Sequence, residues 1–400
     1  MIPELRRAFN AAFAEERYRL YLEDIAAAVG CPIPFRVAET PIFLPPRLRQ
    51  AMVRAALEII GQLLRPEHQQ ASLAAVPPEW DVPNCDEQPL FVQADFAVVA
   101  DPAAPEGYAP RLIELQGFPS LYGFQLLQAQ AAQRYVPGGE RLEFLLSGLD
   151  VAGYRRVVGE AILGGHDPRE VVLFDLDPPT QKTYPDFAAT ERLWGVRPVC
   201  PTTVEKRGRE LWYDRDGTPT RIRRVYNRVI VEELVARRLE LPFRYTEPLD
   251  VEWAGHPNWY FRWSKHSLPF LDHPAVPEAV FLADLDRWPD DLDRWVLKPL
   301  FSFGGTGVKV DLTPADLEAV RPDERRRYLL MRKVEYAPCI ETADGNRSKA
   351  EVRVMIVWHR GRPLPVTTLV RLSQGKLMGV SYNRDRTWVG SSTSLWPPER

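Results

Sequence analysis

Lys298 stands on an apolar run, Trp295-Val-Leu-Lys298-Pro, and Ser302, Gly304, Gly305, Thr306 and Gly307 follow it directly. Glycines accept positive φ and let a backbone approach a ligand closely, and successive N–H groups in such a turn make a concave anion site. A lysine beside the turn adds a compact positive charge. This is chemistry suited to the phosphates of a nucleoside triphosphate. The same residues also describe a plain hairpin in which 295–298 pairs with 308–312. The loop departs from G-x-x-x-x-G-K-[ST], and no helical pattern follows it directly, which excludes the P-loop and dinucleotide fingerprints.

A second group of polar residues lies near the front of the chain. Asp95 sits in Leu90-Phe-Val-Gln-Ala-Asp95-Phe-Ala-Val-Val, and Glu114 and Gln116 sit in Leu112-Ile-Glu114-Leu-Gln116. Both stretches read as strands, and residues two apart on a strand share a face. Mg²⁺ takes oxygen ligands, commonly one or two carboxylates together with nucleotide phosphates. Asp95, Glu114 and Gln116 are therefore the candidate metal ligands. The same residues on a solvated hairpin face would have no such role.

Three further segments complete the set. Trp263-Ser-Lys265-His precedes Val276-Pro277, and Tyr328-Leu-Leu-Met-Arg-Lys333-Val334-Glu335-Tyr336 carries polar residues on an apolar strand. Glu351-Val-Arg353 is followed by Thr368-Leu-Val-Arg371 and Tyr382-Asn383-Arg384. In this order the parts resemble the ATP-grasp superfamily, in which two lysines, a glycine loop and a hinge strand clamp ATP between two α+β subdomains. The resemblance implies that Lys265, Lys298, Ser302, Gly304 to Gly307, Lys333, Val334 and Glu335 bind the nucleotide. It also implies that Arg353 and Arg371 act on the transferring phosphate.

In that family the metal ligands come last, whereas this sequence carries them some two hundred residues early. A circular permutation reconciles the two, and it requires Asp95 and Glu114 to lie within side-chain reach of Lys298. The resemblance covers 89–130 and 256–392, and 169–245 is similar to the small domain that precedes the nucleotide part in permuted members. There Arg224, Asn227 and Arg228 would end a strand facing the cleft and meet substrate. A solvated arginine cluster is the plainer reading.

The elements that must position these residues are legible from periodicity. Residues 3–29 read as one amphipathic helix ended by Gly30, and 46–64 as a second. A hairpin over 89–116 leads through a loop into a helix, and 138–165 is again helical up to Gly164-Gly165. Alternation of short apolar runs and helices over 169–245 predicts a small open α/β domain. The expected organisation is 1–150, N-terminal helices with the carboxylate hairpin; 151–255, the α/β domain; and 256–400, the nucleotide-binding region. The fold class is mixed, α+β with α/β.

Composition narrows the function. A net charge of -3 gives no basic footprint for nucleic acid. Cys31, Cys85, Cys200 and Cys339 are scattered without a C-x-x-C pair, which speaks against structural zinc and for reduced thiols in a cytoplasmic protein. No apolar run is long enough for a membrane span. Asp175-Leu-Asp177 has the form of a phosphatase nucleophile motif, but Pro178-Pro179 stands where a glycine turn is needed. His256, His266 and His273 lack the spacing of a helical zinc pair. The implied activity is ATP- and Mg²⁺-dependent ligation of a small-molecule carboxylate to an amine through an acyl phosphate. A kinase on the same site and an inactive nucleotide-binding module are the rival expectations.

Overall fold

The computed structural model describes residues 1–302, 305–376, 378, 383 and 385–398. Its largest sheet is antiparallel and runs Gly390–Ser392, Arg362–Ser373, Arg347–His359, Phe91–Ala100, Tyr108–Gln116, with Ile340–Glu341 added beside Arg347. The two strands from the front of the chain thus extend a sheet made by its end.

The alternation of the sequence fixes which way each strand faces. Ala94, Phe96, Val352, Val354 and Val370 point to one side, where the helix Pro46–Leu63 covers them with Leu48, Met52, Ile59 and Ile60. On the other side, Met355, Val357, Val366 and Leu369 are covered by the helices Tyr122–Tyr135 and Val151–Leu163. Farther along that second side the residues become polar: Asp95, Glu351, Arg353 and Arg371.

A three-stranded antiparallel sheet, in the order Ala279–Phe281, Tyr328–Arg332, Trp295–Pro299, carries Lys298. The hairpin expected between 295–298 and 308–312 is reduced to a single bridge, Leu297 with Lys309, on the outer edge of the Lys298 strand, whose main partner is Tyr328–Arg332. The Leu112 N–H donates to the Ala275 carbonyl at 2.7 Å, which ties the approach to this small sheet to the large one.

The open α/β unit is present as four parallel strands, Glu252–Ala254, Arg224–Asn227, Val171–Phe174 and Arg197–Val199 in spatial order, with an antiparallel meander over 205–222. Parallel strands require cover on both faces. One face meets Leu211, Tyr213 and Phe243, and the other joins the cluster that holds Tyr122, Tyr154 and Phe187. That second cluster draws residues from both sides of the boundary expected at 150.

Two local expectations are corrected. The first helix is two, Pro3–Ala12 and Glu15–Val29, parted where Phe13 and Ala14 turn extended. The helix expected over 138–165 occupies only Val151–Leu163, starting where the Asp150 side chain accepts the Gly153 N–H. Among the described residues no helix is long and apolar enough to cross a membrane.

Candidate functional site

Lys298 projects from its strand into a closed setting. Its Nζ donates to the Ile113 carbonyl at 3.0 Å and lies 3.3 Å from Met331 Sδ. Lys265 arrives from a separate segment, the 3₁₀ helix Lys265–Phe270, whose start is capped by the Ser264 hydroxyl. It pairs with Glu114 at 2.8 Å and donates to the Ser302 carbonyl at 3.0 Å. The carboxylate hairpin therefore lies within side-chain reach of both lysines. Burial, partly opposed by Glu114, lowers the Lys298 ammonium to about 8.

These side chains border a cavity of about 350 Å³. Its charged end holds Lys265, Lys298, Glu114, Glu351 and Arg371. Its apolar part is built by Val296, Val308, Val310, Met331 and Met378. The segment Lys333, Val334 and Glu335 lines the cavity as well, and Lys333 is held by Asp311 at 3.0 Å. Gly305 at φ +80° and Gly307 at φ +74° shape the turn, and the Val308 N–H returns to the Gly305 carbonyl at 3.2 Å. A Cβ on Gly307 would stand 2.8 Å from Pro299 Cγ, so the close approach needs glycine. Gly305 borders the cavity, Thr306 and Gly307 are exposed beside it, and Gly304 lies outside the described residues, as do Phe303, Tyr382 and Arg384.

Ser302 lines a small hollow that continues from the charged end, together with Glu114, Gln116 and Lys265. Its hydroxyl is buried without a hydrogen-bond partner among the described residues. Buried polar atoms are normally satisfied, so this hydroxyl is an exception among the described residues.

The metal set is a correction. Asp95 and Glu114 are paired across adjacent strands as expected. Yet Asp95 is 1% exposed, and its two oxygens accept from Arg353 Nε at 2.6 Å, Arg353 Nη2 at 2.7 Å and Arg371 Nη2 at 2.6 Å. Burial pushes this carboxyl upward, but the two guanidinium groups outweigh it and hold it below its ordinary range. No free oxygen of Asp95 faces the cavity, and Glu114 is engaged by Lys265. Among the described residues no group of three or more His, Cys, Asp or Glu side chains could hold a metal ion. Asp95, Glu114 and Gln116 do not fit a shared Mg²⁺ in this arrangement.

Arg353 is corrected for the same reason. Its guanidinium is spent on Asp95 and on Gln93 Oε1 at 2.6 Å, so it positions the network and does not border the cavity. Arg371 does border it, pairing with both Asp95 and Glu351. Burial opposes its charge, but Glu351 and Asp95 prevail and raise the guanidinium above its usual value. The Tyr336 hydroxyl donates to Glu351. Sequence reasoning did not assign Glu351, Tyr336 or Asp311 a role. The only sign of Glu351 was its spacing of two from Arg353, which puts both on one face.

The three substrate candidates lie away from the cavity. Arg224 donates to the Ile162 and Ala161 carbonyls, both at 3.0 Å, and pairs with Glu252 at 2.6 Å, closing the end of the helix Val151–Leu163. Arg228 pairs with buried Asp186 at 2.9 Å, between the Phe118 and Phe187 rings. Asp186 in turn accepts the N–H groups of Leu121, Gly123 and Phe124 at the start of the helix Tyr122–Tyr135. Asn227 accepts from the Tyr245 hydroxyl at 3.3 Å. All three hold structure together.

Solved structures similar to this fold include a glutathione synthetase-like effector from Globodera pallida in its apo form. The TM-score is 0.59 at 12% identity, over 96% of each chain. At that identity the likeness establishes the fold alone: a mixed α/β architecture resembling the glutathione synthetase-like type. No protein-family model and no curated protein matches the sequence.

Proposed function

We propose that the chain is an ATP-dependent ligase that joins a carboxylate to an amine, on a circularly permuted ATP-grasp fold. The observation that carries this reading is the convergence of two buried lysines, from separate segments, with a glycine turn on one cavity that also holds an apolar slot. The slot suits a purine, and the charged end suits its phosphates. The permutation is supported by the sheet order, in which the Asp95 and Glu114 strands add to the edge of the Arg353 strand.

Phosphoryl transfer passes through a loose, charge-rich transition state that is stabilised chiefly by position and neutralising charge. Lys265, Lys298 and Arg371 would supply that charge to ATP and to the carboxylate it phosphorylates. The amine would then attack the acyl phosphate and release inorganic phosphate. Phe301 and the glycine turn would keep water out during the acyl phosphate's lifetime. No step is assigned to a metal, since Asp95 is committed to arginines.

The test is ADP release by the purified protein against a matrix of carboxylates and amines. ADP formed only when both are present supports the ligase. ADP formed with a hydroxyl compound alone replaces it with a kinase, and absence of ATP protection against thermal unfolding removes the nucleotide site altogether. One observation favours a second reading: with Asp95 locked by Arg353 and Arg371, the site has the form of a nucleotide-binding module without catalysis. ATP binding with no ADP under any pairing would decide for it.

A further inference from the structure

The carboxylate at the centre of the large sheet is already matched to cations by strand register. Asp95 and Arg353 are direct cross-strand partners, and so are Glu351 and Arg371 on the next pair of strands. Residues two apart on a strand share a face, so Gln93, Asp95, Arg353, Glu351 and Arg371 stand side by side. Arg353 holds Asp95 with a two-pronged fork, Nε to Oδ1 at 2.6 Å and Nη2 to Oδ2 at 2.7 Å, while its Nη1 donates to Gln93 Oε1 at 2.6 Å. Gln93 is itself fully buried and donates to the Ser120 carbonyl at 2.7 Å. Arg353 is therefore fixed at Nε, Nη1 and Nη2.

Arg371 is the open end of this set. Its pairings with Asp95, at 2.6 Å, and with Glu351 both use Nη2, which leaves Nε and Nη1 for a ligand in the cavity that Arg371 borders. Glu351 also accepts the Tyr336 hydroxyl, and Glu114 is taken by Lys265 at 2.8 Å. Each carboxylate at the charged end thus already faces a cation. Among the described residues, seven Lys and Arg line the whole cavity against four Asp and Glu, an excess of three positive charges.

We propose that this cavity takes its nucleoside triphosphate without a divalent cation, and that the Arg371 guanidinium, positioned by Asp95 and Arg353, takes the metal's part against the phosphates. A hard cation needs oxygen ligands that no other cation holds. Taking those of Asp95 would leave two guanidinium groups buried and unpaired. Taking Glu351 or Glu114 would strip Arg371 or Lys265, and Gln116 offers only a neutral amide oxygen. A guanidinium, by contrast, meets phosphate oxygens through parallel N–H groups and stays charged at any working pH. The positive excess of the lining also suits a fully ionised triphosphate better than one partly neutralised by a metal. This assignment rests on the nucleotide reading given above and adds the form in which the nucleotide binds.

The experiment is calorimetric titration of ATP into the full chain, in EDTA and in excess Mg²⁺, at matched ionic strength so that screening is equal. Mg²⁺ is expected to tighten ATP by no more than about threefold, and a larger gain overturns the proposal. By linkage, protein added to a mixture of Mn²⁺ and ATP should leave or raise the free Mn²⁺ signal in electron paramagnetic resonance. A fall in that signal means that metal enters the site with the nucleotide, and overturns it. Arg371→Met is expected to lose roughly tenfold or more of its ATP affinity in EDTA, the scale of one charged hydrogen bond, and Arg371→Lys to recover part of that loss. Parent-like affinity of Arg371→Met in EDTA overturns the role given to Arg371. Arg353→Lys keeps the charge, loses the fork and uncovers Asp95, so the gain from Mg²⁺ should rise above the parent's; an unchanged gain overturns the positioning role of Arg353. ATP that binds only with Mg²⁺ leaves the nucleotide site standing and removes the metal-free mode alone, whereas ATP that binds under neither condition removes both.

Discussion

Lys298 offers the sharpest test of the proposed nucleotide site, because its buried charge is costly in the apoprotein. Burial lowers its ammonium from 10.5 to about 8. A shift of that size corresponds to roughly 3 kcal/mol against the charged form in the folded protein. Below pH 8 the folded state carries the full cost, and between 8 and 10.5 the cost fades as the folded lysine loses its proton first, so this group makes the apoprotein more stable as pH rises. Bound phosphates act the other way, since they restore the charge. ATP affinity is therefore expected to hold below pH 8 and to fall by about tenfold by pH 9, with uptake of roughly half a proton per nucleotide at pH 8. Calorimetry in two buffers of different ionisation enthalpy reads both quantities. Lys298→Met removes the buried charge but orphans the Ile113 carbonyl, at about 1–3 kcal/mol. Its apoprotein should be no less stable than the parent by more than about 1 kcal/mol at pH 7, and it should gain nothing from ATP. Unchanged proton uptake in that variant, or affinity flat from pH 7 to 9 in the parent, would refute the assignment of Lys298 to the phosphates.

Three other outcomes follow from the geometry. Asp95→Asn strips the partner from two guanidinium groups and is expected to cost about 3–5 kcal/mol in urea unfolding, whereas Glu4→Gln, in an exposed pair with Arg7, costs under about 1 kcal/mol; equal losses would contradict the charge network. Gly307→Ala meets Pro299 as well as a positive φ, so ATP affinity should drop, while Gly345→Ala, also at positive φ but with nothing within 4 Å, should leave affinity unchanged; the comparison is read by titration of both variants. Arg224→Ala loses two carbonyl partners and an ion pair, and should lower stability by about 1–3 kcal/mol with no change in ATP binding; a large change in affinity would return Arg224 to the site.

Much of the architecture was legible in short windows of sequence. The apolar runs around Asp95 and Glu114 read as strands and are strands, and Gly30 and Gly164 marked helix ends where each takes a positive φ. Phe13 and Ala14 escaped notice because the apolar stripe continues across them, although the chain turns extended there. The stretch 138–150 kept an apolar pattern without forming a regular helix; its residues serve bridges to Trp396 and Thr367 instead. Arg224, Asn227 and Arg228 misled for a related reason. A strand end with arginines looks alike whether it faces a cleft or ties down a helix, and only their partners Ile162, Asp186 and Tyr245 separate the two.

What the sequence determined by itself was local: strands and helices, a lysine ahead of a glycine turn, and carboxylates on one face of a hairpin. Backbone periodicity and glycine conformation depend on near neighbours, so they can be read along the chain. Tertiary structure alone decided which charges meet. Asp95 could have faced a metal or an arginine, and the register of the Asp95 strand against the Arg353 strand chose the arginine. Burial then made that choice matter, because a carboxylate out of water is held by whichever cation is placed against it. The same folding brought Lys265 and Lys298 to the Glu114 hairpin, an arrangement set by long-range packing that no window of the sequence contains.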